Sequence, residues 1–130
     1  MNYKVADFII RIKNASMAKR REVLVPYSKM AKALGKILLK DNFLEEVTEE
    51  KKDDKKVLSL RITYEKRVPV LTDVLLVSKP SLRVYVKPKD IKERQRRSQN
   101  TLIVSTSKGV MNGREALQKG VGGELLFEIW

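Results

Sequence analysis

The chain contains no cysteine and no histidine. Without thiols there is no disulfide framework and no thiolate nucleophile. Without imidazole the commonest general base is missing, and so is the usual zinc ligand set. Most hydrolase templates are excluded on these grounds, and no cofactor or metal is implied. No run of 18 apolar residues occurs, so no membrane-spanning helix is expected. The opening stretch MNYKVADFIIRIKNAS has too short an apolar run, interrupted by Asp7 and Arg11, for a secretory signal. A G-x-x-x-x-G-K-S/T phosphate loop is also missing. These absences predict a soluble cytoplasmic protein whose function is not catalytic.

What is present is positive charge. The 130 residues carry 28 Lys and Arg against 16 Asp and Glu, a net charge of +12. Hydrophobic residues make up 42% of the chain, enough for a globular core. A chain of this size buries about two-thirds of its unfolded surface on folding, as one domain or two small lobes. The cations are therefore displayed on a folded body, and the expected partner is a polyanion. Their distribution is uneven. Residues 1–40 hold ten cations and two anions, whereas residues 41–56 hold four and seven. Residues 57–86 hold five and two, and residues 87–97 six and two; residues 98–130 balance at three and three. The last quarter is neutral inside a strongly basic protein.

Hydrophobic spacing outlines the elements. Val5, Phe8, Ile9 and Ile12 stand at i, i+3, i+4 and i+7, which predicts a first helix. Arg20 to Val25 reads as a strand closed by Pro26. Ser28 is placed to cap a second helix reaching about Asp41, with Met30, Leu34, Ile37 and Leu38 on one face and Lys29, Lys32, Lys36 and Lys40 on the other. Phe43–Thr48 and Val57–Tyr64 read as strands joined by a charged hairpin loop, EEKKDDKK. A strand pair is expected in TDVLLVSKPSLRVYVKPKD, broken at Lys79-Pro80-Ser81. Residues 88–97 read as a basic connector with a helical turn, and Thr101–Val104 as a strand. Asn112 and Glu115 resemble a capping box for a helix over 113–119, with Gly120 as its stop. In the last strand, Leu125, Phe127 and Ile129 face inward against Glu124, Leu126 and Glu128, and Trp130 anchors its end. The fold class is α+β, sandwich-like, in two lobes: residues 1–67, an α/β lobe, and residues 68–130, a β-rich lobe with one short capped helix.

Between the strand at 101–104 and the capped helix lies Ser105-Thr106-Ser107-Lys108-Gly109. Three hydroxyls, a lysine and a glycine present short donors and acceptors that fit phosphate oxygens, ribose 2′-hydroxyls and base edges in a shallow RNA groove. The plain alternative is a turn that satisfies its own backbone. A nucleophilic serine lacks a histidine partner. Gly122-Gly123 either permits positive φ or lets another backbone approach closely. Tyr85, flanked by Arg83 and Lys87, is either a half-buried strand aromatic or a platform for base stacking.

The segment STSKGVMNGREALQKGVGGE, residues 105–124, resembles the C-terminal signature of the small-subunit ribosomal protein S-eight family in its bacterial form. ADFIIRIKNAS at 6–16, VPYSKMAKAL at 25–34 and VSKPSLRVY at 77–85 resemble its first helix, the entry to its second helix and its central strand pair. The resemblance implies two α/β lobes and primary binding to a helix in the central domain of small-subunit (16S) rRNA. It also implies a role in early subunit assembly, neighbouring small-subunit proteins as partners and, for some members, binding to their own mRNA. The principal RNA surface it implies is Ser105, Thr106, Ser107, Lys108, Gly122, Gly123 and Glu124. Tyr85 and Lys87 form a second strip, and Arg11, Lys13, Asn14, Ser28 and Lys29 contact further backbone in the N-terminal lobe. The chain departs from the family pattern at Lys4-Val5, Ser81, Ser98-Gln99-Asn100 and Gly113.

The expected mechanism divides the work. Cations in the first 97 residues attract phosphates without regard to sequence, and the neutral last quarter selects the RNA. Two other readings are a DNA-binding regulator of helix-turn-helix type and an enzyme acting on polyanions. The first requires two helices joined by a short turn, the second an acid/base pair in a cleft.

Overall fold

A computed structural model describes residues 4–130. The chain divides into two compact units, the first ending at Thr72 and the second beginning at Asp73.

In the first unit α1 spans Lys4–Met17, and its expected stripe of Val5, Phe8, Ile9 and Ile12 is buried together with Ala15. The helix ends where Lys19 turns to φ 57 and the Arg20 N–H bonds back to the Ala15 carbonyl at 2.9 Å. Strand β1, Glu22–Pro26, follows, and then α2, Lys29–Lys40. Ser28 caps α2, its hydroxyl oxygen accepting the Ala31 N–H at 3.0 Å. Because a strand separates α1 from α2, the two do not form a helix-turn-helix.

The charged stretch around residue 50 is not a loop. Strands β2, Leu44–Lys52, and β3, Lys55–Ile62, run through it and are joined by Asp53-Asp54 alone, at φ 51 and 63. Charged side chains mask strand periodicity here because both faces of the ladder's end are solvated. The sheet order is β1-β3-β2, all antiparallel, and Leu58, Leu60 and Ile62 on β3 are fully or almost fully buried. Helix α1 packs on β1, and α2 packs on β2 and β3. A small hairpin follows, β4 (Tyr64–Glu65) with β5 (Val68–Pro69). Leu71 is buried, and its carbonyl accepts the Ser16 hydroxyl at 3.5 Å, which attaches this segment to the first unit.

The second unit is built on β10, Gly123–Ile129, in a sheet ordered β6-β10-β8-β9. Its elements are β6 (Val74–Leu76), β7 (Tyr85–Val86), α3 (Pro88–Arg97), β8 (Thr101–Thr106), β9 (Gly109–Asn112) and α4 (Gly113–Lys119). Four expectations are corrected. β6 and β7 do not pair with each other: both lie antiparallel along β10, at Phe127–Ile129 and Gly123–Glu124, and the chain leaves that edge between them. The fully buried Ser78 ties this excursion down, donating its hydroxyl to the Leu125 carbonyl at 2.6 Å and accepting the Val84 N–H at 3.0 Å. The basic connector is a full helix, α3, started by Pro88 and by Asp90, whose carboxylate accepts the Lys87 N–H at 2.9 Å. β8 continues through Ser105 and Thr106 into a further strand, β9, so the hydroxyl segment is a β-hairpin rather than a strand-to-helix loop. Finally, Leu126 is buried, not outward, and Glu128 is only 7% exposed. β10 is an interior strand with both faces covered, and a bulge between Leu125 and Phe127 breaks its alternation.

The core of the second unit gathers Val86, Ile91, Leu102, Val104, Met111, Ala116 and Leu125. Asn112 caps α4, accepting the Glu115 N–H at 2.8 Å, and Gly120 closes the helix at φ 65. Trp130 exchanges backbone hydrogen bonds with Asp73 at 3.1 Å in both directions, extending the ladder beyond β10.

Candidate RNA interface

Strand pairing brings three separated segments of the second unit to one end of its sheet. Tyr85 faces Glu124 across the β7–β10 pair, and Glu124 faces Ser105 across β10–β8. One step along, Val86, Gly123 and Thr106 form the adjoining row. Directly paired residues share a sheet face, and neighbouring strands lie about 4.8 Å apart, so Tyr85, Glu124 and Ser105 line one face over roughly 10 Å. Val86 is buried on the opposite, core side, while Tyr85 is 72% exposed. Of the two readings of Tyr85, the half-buried one is not what the structure shows.

At the hairpin tip Thr106 pairs with Gly109, leaving Ser107 and Lys108 as the turn. The Thr106 hydroxyl donates to the Gly109 carbonyl at 2.7 Å and accepts the Lys108 N–H at 3.1 Å. Its side chain therefore holds the turn together. Gly109 supplies φ 109, a value that L side chains rarely adopt. Ser107 and Lys108 are exposed, and Ser105 is partly exposed. The hydroxyls thus split into one that shapes the turn and two that the turn presents.

The paired glycines have a steric reason. A Cβ on Gly123 would sit 2.1 Å from the Ser105 carbonyl oxygen, and one on Gly122 would sit 2.3 Å from that of Val86. β8 and β7 both press against the start of β10, and only glycine leaves room for both. This is the close-approach reading; neither residue has positive φ. Glu124 is positioned by Arg83, whose guanidinium donates to its carboxylate at 3.0 Å. Neither Arg83 nor Ser78 was among the residues read as functional. The basic flank of Tyr85 was a signal for Arg83, whereas nothing in the sequence distinguishes the buried Ser78 from a loop serine. Lys87 lies at the N-cap of α3 with its side chain exposed.

The first unit carries the other expected residues. Arg11, Asn14 and Lys29 are exposed, and Lys13 and Ser28 are partly buried. Arg11 is engaged within its own helix, donating to both Asp7 carboxylate oxygens at 3.1 Å. Ser28 uses its hydroxyl as the α2 cap. The lysine face of α2 is not uniformly free, because Lys32 reaches Glu49 at 3.5 Å and Lys56 reaches the same oxygen at 3.3 Å. The hydrogen bond from Lys56, reinforced by the charge of Lys32, holds the Glu49 carboxyl below its ordinary range. On the open face of the sheet Arg61 bridges Glu22 at 3.1 Å and Glu46 at 3.6 Å, and the Glu22 hydrogen bond raises its affinity for its proton. Of the β2 carboxylates, Glu46 and Glu49 are engaged in ion pairs with surface cations. Among the described residues no group of His, Cys, Asp and Glu could hold a metal ion, and no helix is long and apolar enough to cross a membrane.

The family model described as ribosomal protein S8 matches residues 3–130. The small ribosomal subunit protein uS8 of Roseiflexus castenholzii is 42% identical, over 100% of this chain and 98% of its own length. Its counterpart in Trichormus variabilis is 38% identical over 99% and 98%, and that of Nitratidesulfovibrio vulgaris 43% identical over 97% and 96%. With the resembling segments spread through both units and the match running the length of the chain, this protein belongs to the ribosomal protein S8 family: it is a ribosomal protein and not an enzyme.

Proposed function

We propose that the chain is a constituent of the small ribosomal subunit that binds the central domain of 16S rRNA directly and helps to organise early assembly in the cytoplasm. The observation that carries this reading is the Tyr85–Glu124–Ser105 row, capped by the exposed Ser107-Lys108 turn. It combines an aromatic face for stacking, an acceptor for base amino groups or ribose hydroxyls, and short hydroxyls for a shallow groove. The row contains one carboxylate and no cation, so attraction to phosphate does not account for it. Attraction comes from cations elsewhere, and selection from the row and the turn. The same surface accepts the protein's own message wherever that RNA folds to a similar shape, and neighbouring small-subunit proteins complete its surroundings.

Ser107→Ala tests this division. It removes a presented hydroxyl without touching the Thr106 bonds that shape the turn. Affinity for a central-domain rRNA fragment is expected to fall about fivefold, corresponding to about 1 kcal/mol, with no change in the salt dependence and no change on a scrambled RNA. Equal loss on both RNAs would refute the selective role. Preference for duplex DNA over the rRNA fragment would refute the RNA reading itself.

A further inference from the structure

Helix α3 carries a line of cations that the site above does not use. Lys89, Lys92 and Arg96 stand at i, i+3 and i+7 and are all exposed. At about 1.5 Å rise per residue they cover roughly 10 Å of one helix face. The other faces of α3 are committed to the fold. Ile91 is fully buried in the core of the second unit. Arg94 reaches back to the buried Glu128 of β10 at 3.2 Å, and Asn100, just past the helix, donates to the other oxygen of that carboxylate at 3.2 Å. Gln95 lies where a side chain at Gly113 would begin: a Cβ there would stand 2.8 Å from its Nε2. These contacts, to the core, to β10 and to the start of α4, fix the rotation of α3 about its axis. The line of cations faces solvent by construction and not by a choice of rotamer.

The negative charges of the segment are spent. Asp90 accepts the Lys87 N–H at the start of the helix, and Glu93 pairs with Arg97 at 3.1 Å. Among the described residues no carboxylate forms an ion pair with Lys89, Lys92 or Arg96. Three adjacent uncompensated cations on a rigid support repel one another and cost stability, which an anionic ligand would recover. The line begins beside the site already described. Tyr85 and Lys87 lead directly into α3, and Lys89 borders a groove of about 690 Å³ that Tyr85, Arg94 and Arg97 line together with Asp90, Glu93 and Glu128; Lys92 and Arg96 continue along the helix outside it.

We propose that Lys89, Lys92 and Arg96 form a second RNA contact, gripping the phosphodiester backbone that flanks the segment read at Tyr85 and the hairpin tip. The inference rests on the RNA-binding reading and adds to it the element that supplies attraction in the second unit. Recognition and grip then sit on one compact unit: a neutral row that selects, beside a cationic helix that holds. Lysine and arginine on one helix face neutralise successive phosphates, which are the same at every nucleotide, so this contact is blind to sequence.

The test uses the full chain carrying Lys89→Gln, Lys92→Gln and Arg96→Gln together. Binding to the central-domain rRNA fragment and to a scrambled RNA of equal length is measured by fluorescence anisotropy between 50 and 200 mM salt. The slope of log affinity against log salt is expected to fall by about three on both RNAs. The variant is then weakened about 40-fold more at 50 mM than at 200 mM salt. Circular dichroism should match the parent and the melting midpoint should be no lower, since none of the three side chains supports the fold and their mutual repulsion is removed. A control variant, Lys51→Gln with Lys52→Gln and Lys55→Gln at the β2–β3 tip, removes the same charge and should flatten the slope less. Equal flattening by the control would mean that net charge alone acts, and would overturn the proposal. An unchanged slope in the folded α3 variant would also overturn it, while leaving the Ser107-dependent preference to stand independently. Unchanged RNA binding with loss from particles reconstituted with the other small-subunit proteins would assign the line to an acidic protein instead. A parent chain that binds neither RNA would overturn both this contact and the proposed function.

Discussion

The start of β10 is the point where a single methyl group should do most damage. In Gly123→Ala the added Cβ would meet the Ser105 carbonyl oxygen at 2.1 Å, its carbon at 2.9 Å and the Thr106 Cα at 3.0 Å. A carbon and a carbonyl oxygen approach to about 3.3 Å without strain, so β8 and β10 must part by roughly 1 Å. All three obstructing atoms are backbone, and no side chain can swing aside to relieve them. On the other side Gly123 is paired with Val86, so β10 cannot simply move away from β8. Overpacking typically costs 1–3 kcal/mol, and this site belongs at the upper end, about 3 kcal/mol. At about 4 °C per kcal/mol for a chain of this size, the melting midpoint should drop by roughly 12 °C in a calorimetric or circular dichroism scan. Gly120→Ala provides the contrast. Gly120 has φ 65 and nothing within 4 Å of its would-be Cβ, so only backbone strain of about 1 kcal/mol is at stake. The displaced strand also carries Ser105 and the hairpin tip, so Gly123→Ala should lose cognate RNA affinity at temperatures where it remains folded. A midpoint within about 3 °C of the parent, or no lower than that of Gly120→Ala, would refute the close-approach explanation of the paired glycines.

Two further outcomes concern the first unit. Asp53 and Asp54 both adopt positive φ in a two-residue hairpin, a geometry that Asn-Gly fits better. Asp53→Asn with Asp54→Gly should raise stability by about 0.5 kcal/mol in urea unfolding; a loss of stability would contradict the turn assignment. Glu49, held low by its hydrogen bond to Lys56 and the charge of Lys32, favours folding above its ordinary pKa of 4.5, and that contribution disappears as pH falls through its lowered value. Glu49→Gln should therefore lower stability near neutrality and flatten the loss seen on acidification below about pH 4.5, an effect that added salt weakens. Parallel acid-unfolding curves for parent and variant would refute it.

The sequence by itself determined what depends on neighbours along the chain. The two N-terminal helices, the Ser28 and Asn112 caps, the Gly120 stop and the inward face of β3 all follow from spacings within one or two turns or a few strand residues. The chemistry of the Ser105–Gly109 segment, and the separation of charge from the neutral last quarter, were also legible, because composition needs no partner strand. Tertiary structure decided what depends on residues far apart. Whether β6 and β7 pair with each other or with β10 is set by which edge is available. The existence of β9 depends on Ser105 and Thr106 finding Val110 and Gly109 across a turn. Leu126 and Glu128 are buried because both faces of β10 are covered, Arg94 and Asn100 closing over Glu128, and because a bulge follows Leu125, neither of which strand alternation records. Gly122 and Gly123 could be read as flexible or as close-packed, and only the carbonyls of Val86 and Ser105 settle which. The same holds for α3. Its charge made it a connector in the sequence, while Ile91, Arg94 and Gln95 make it a docked helix. A hydrophobic pattern records which residues avoid water, but the partner that excludes the water is chosen by the whole fold.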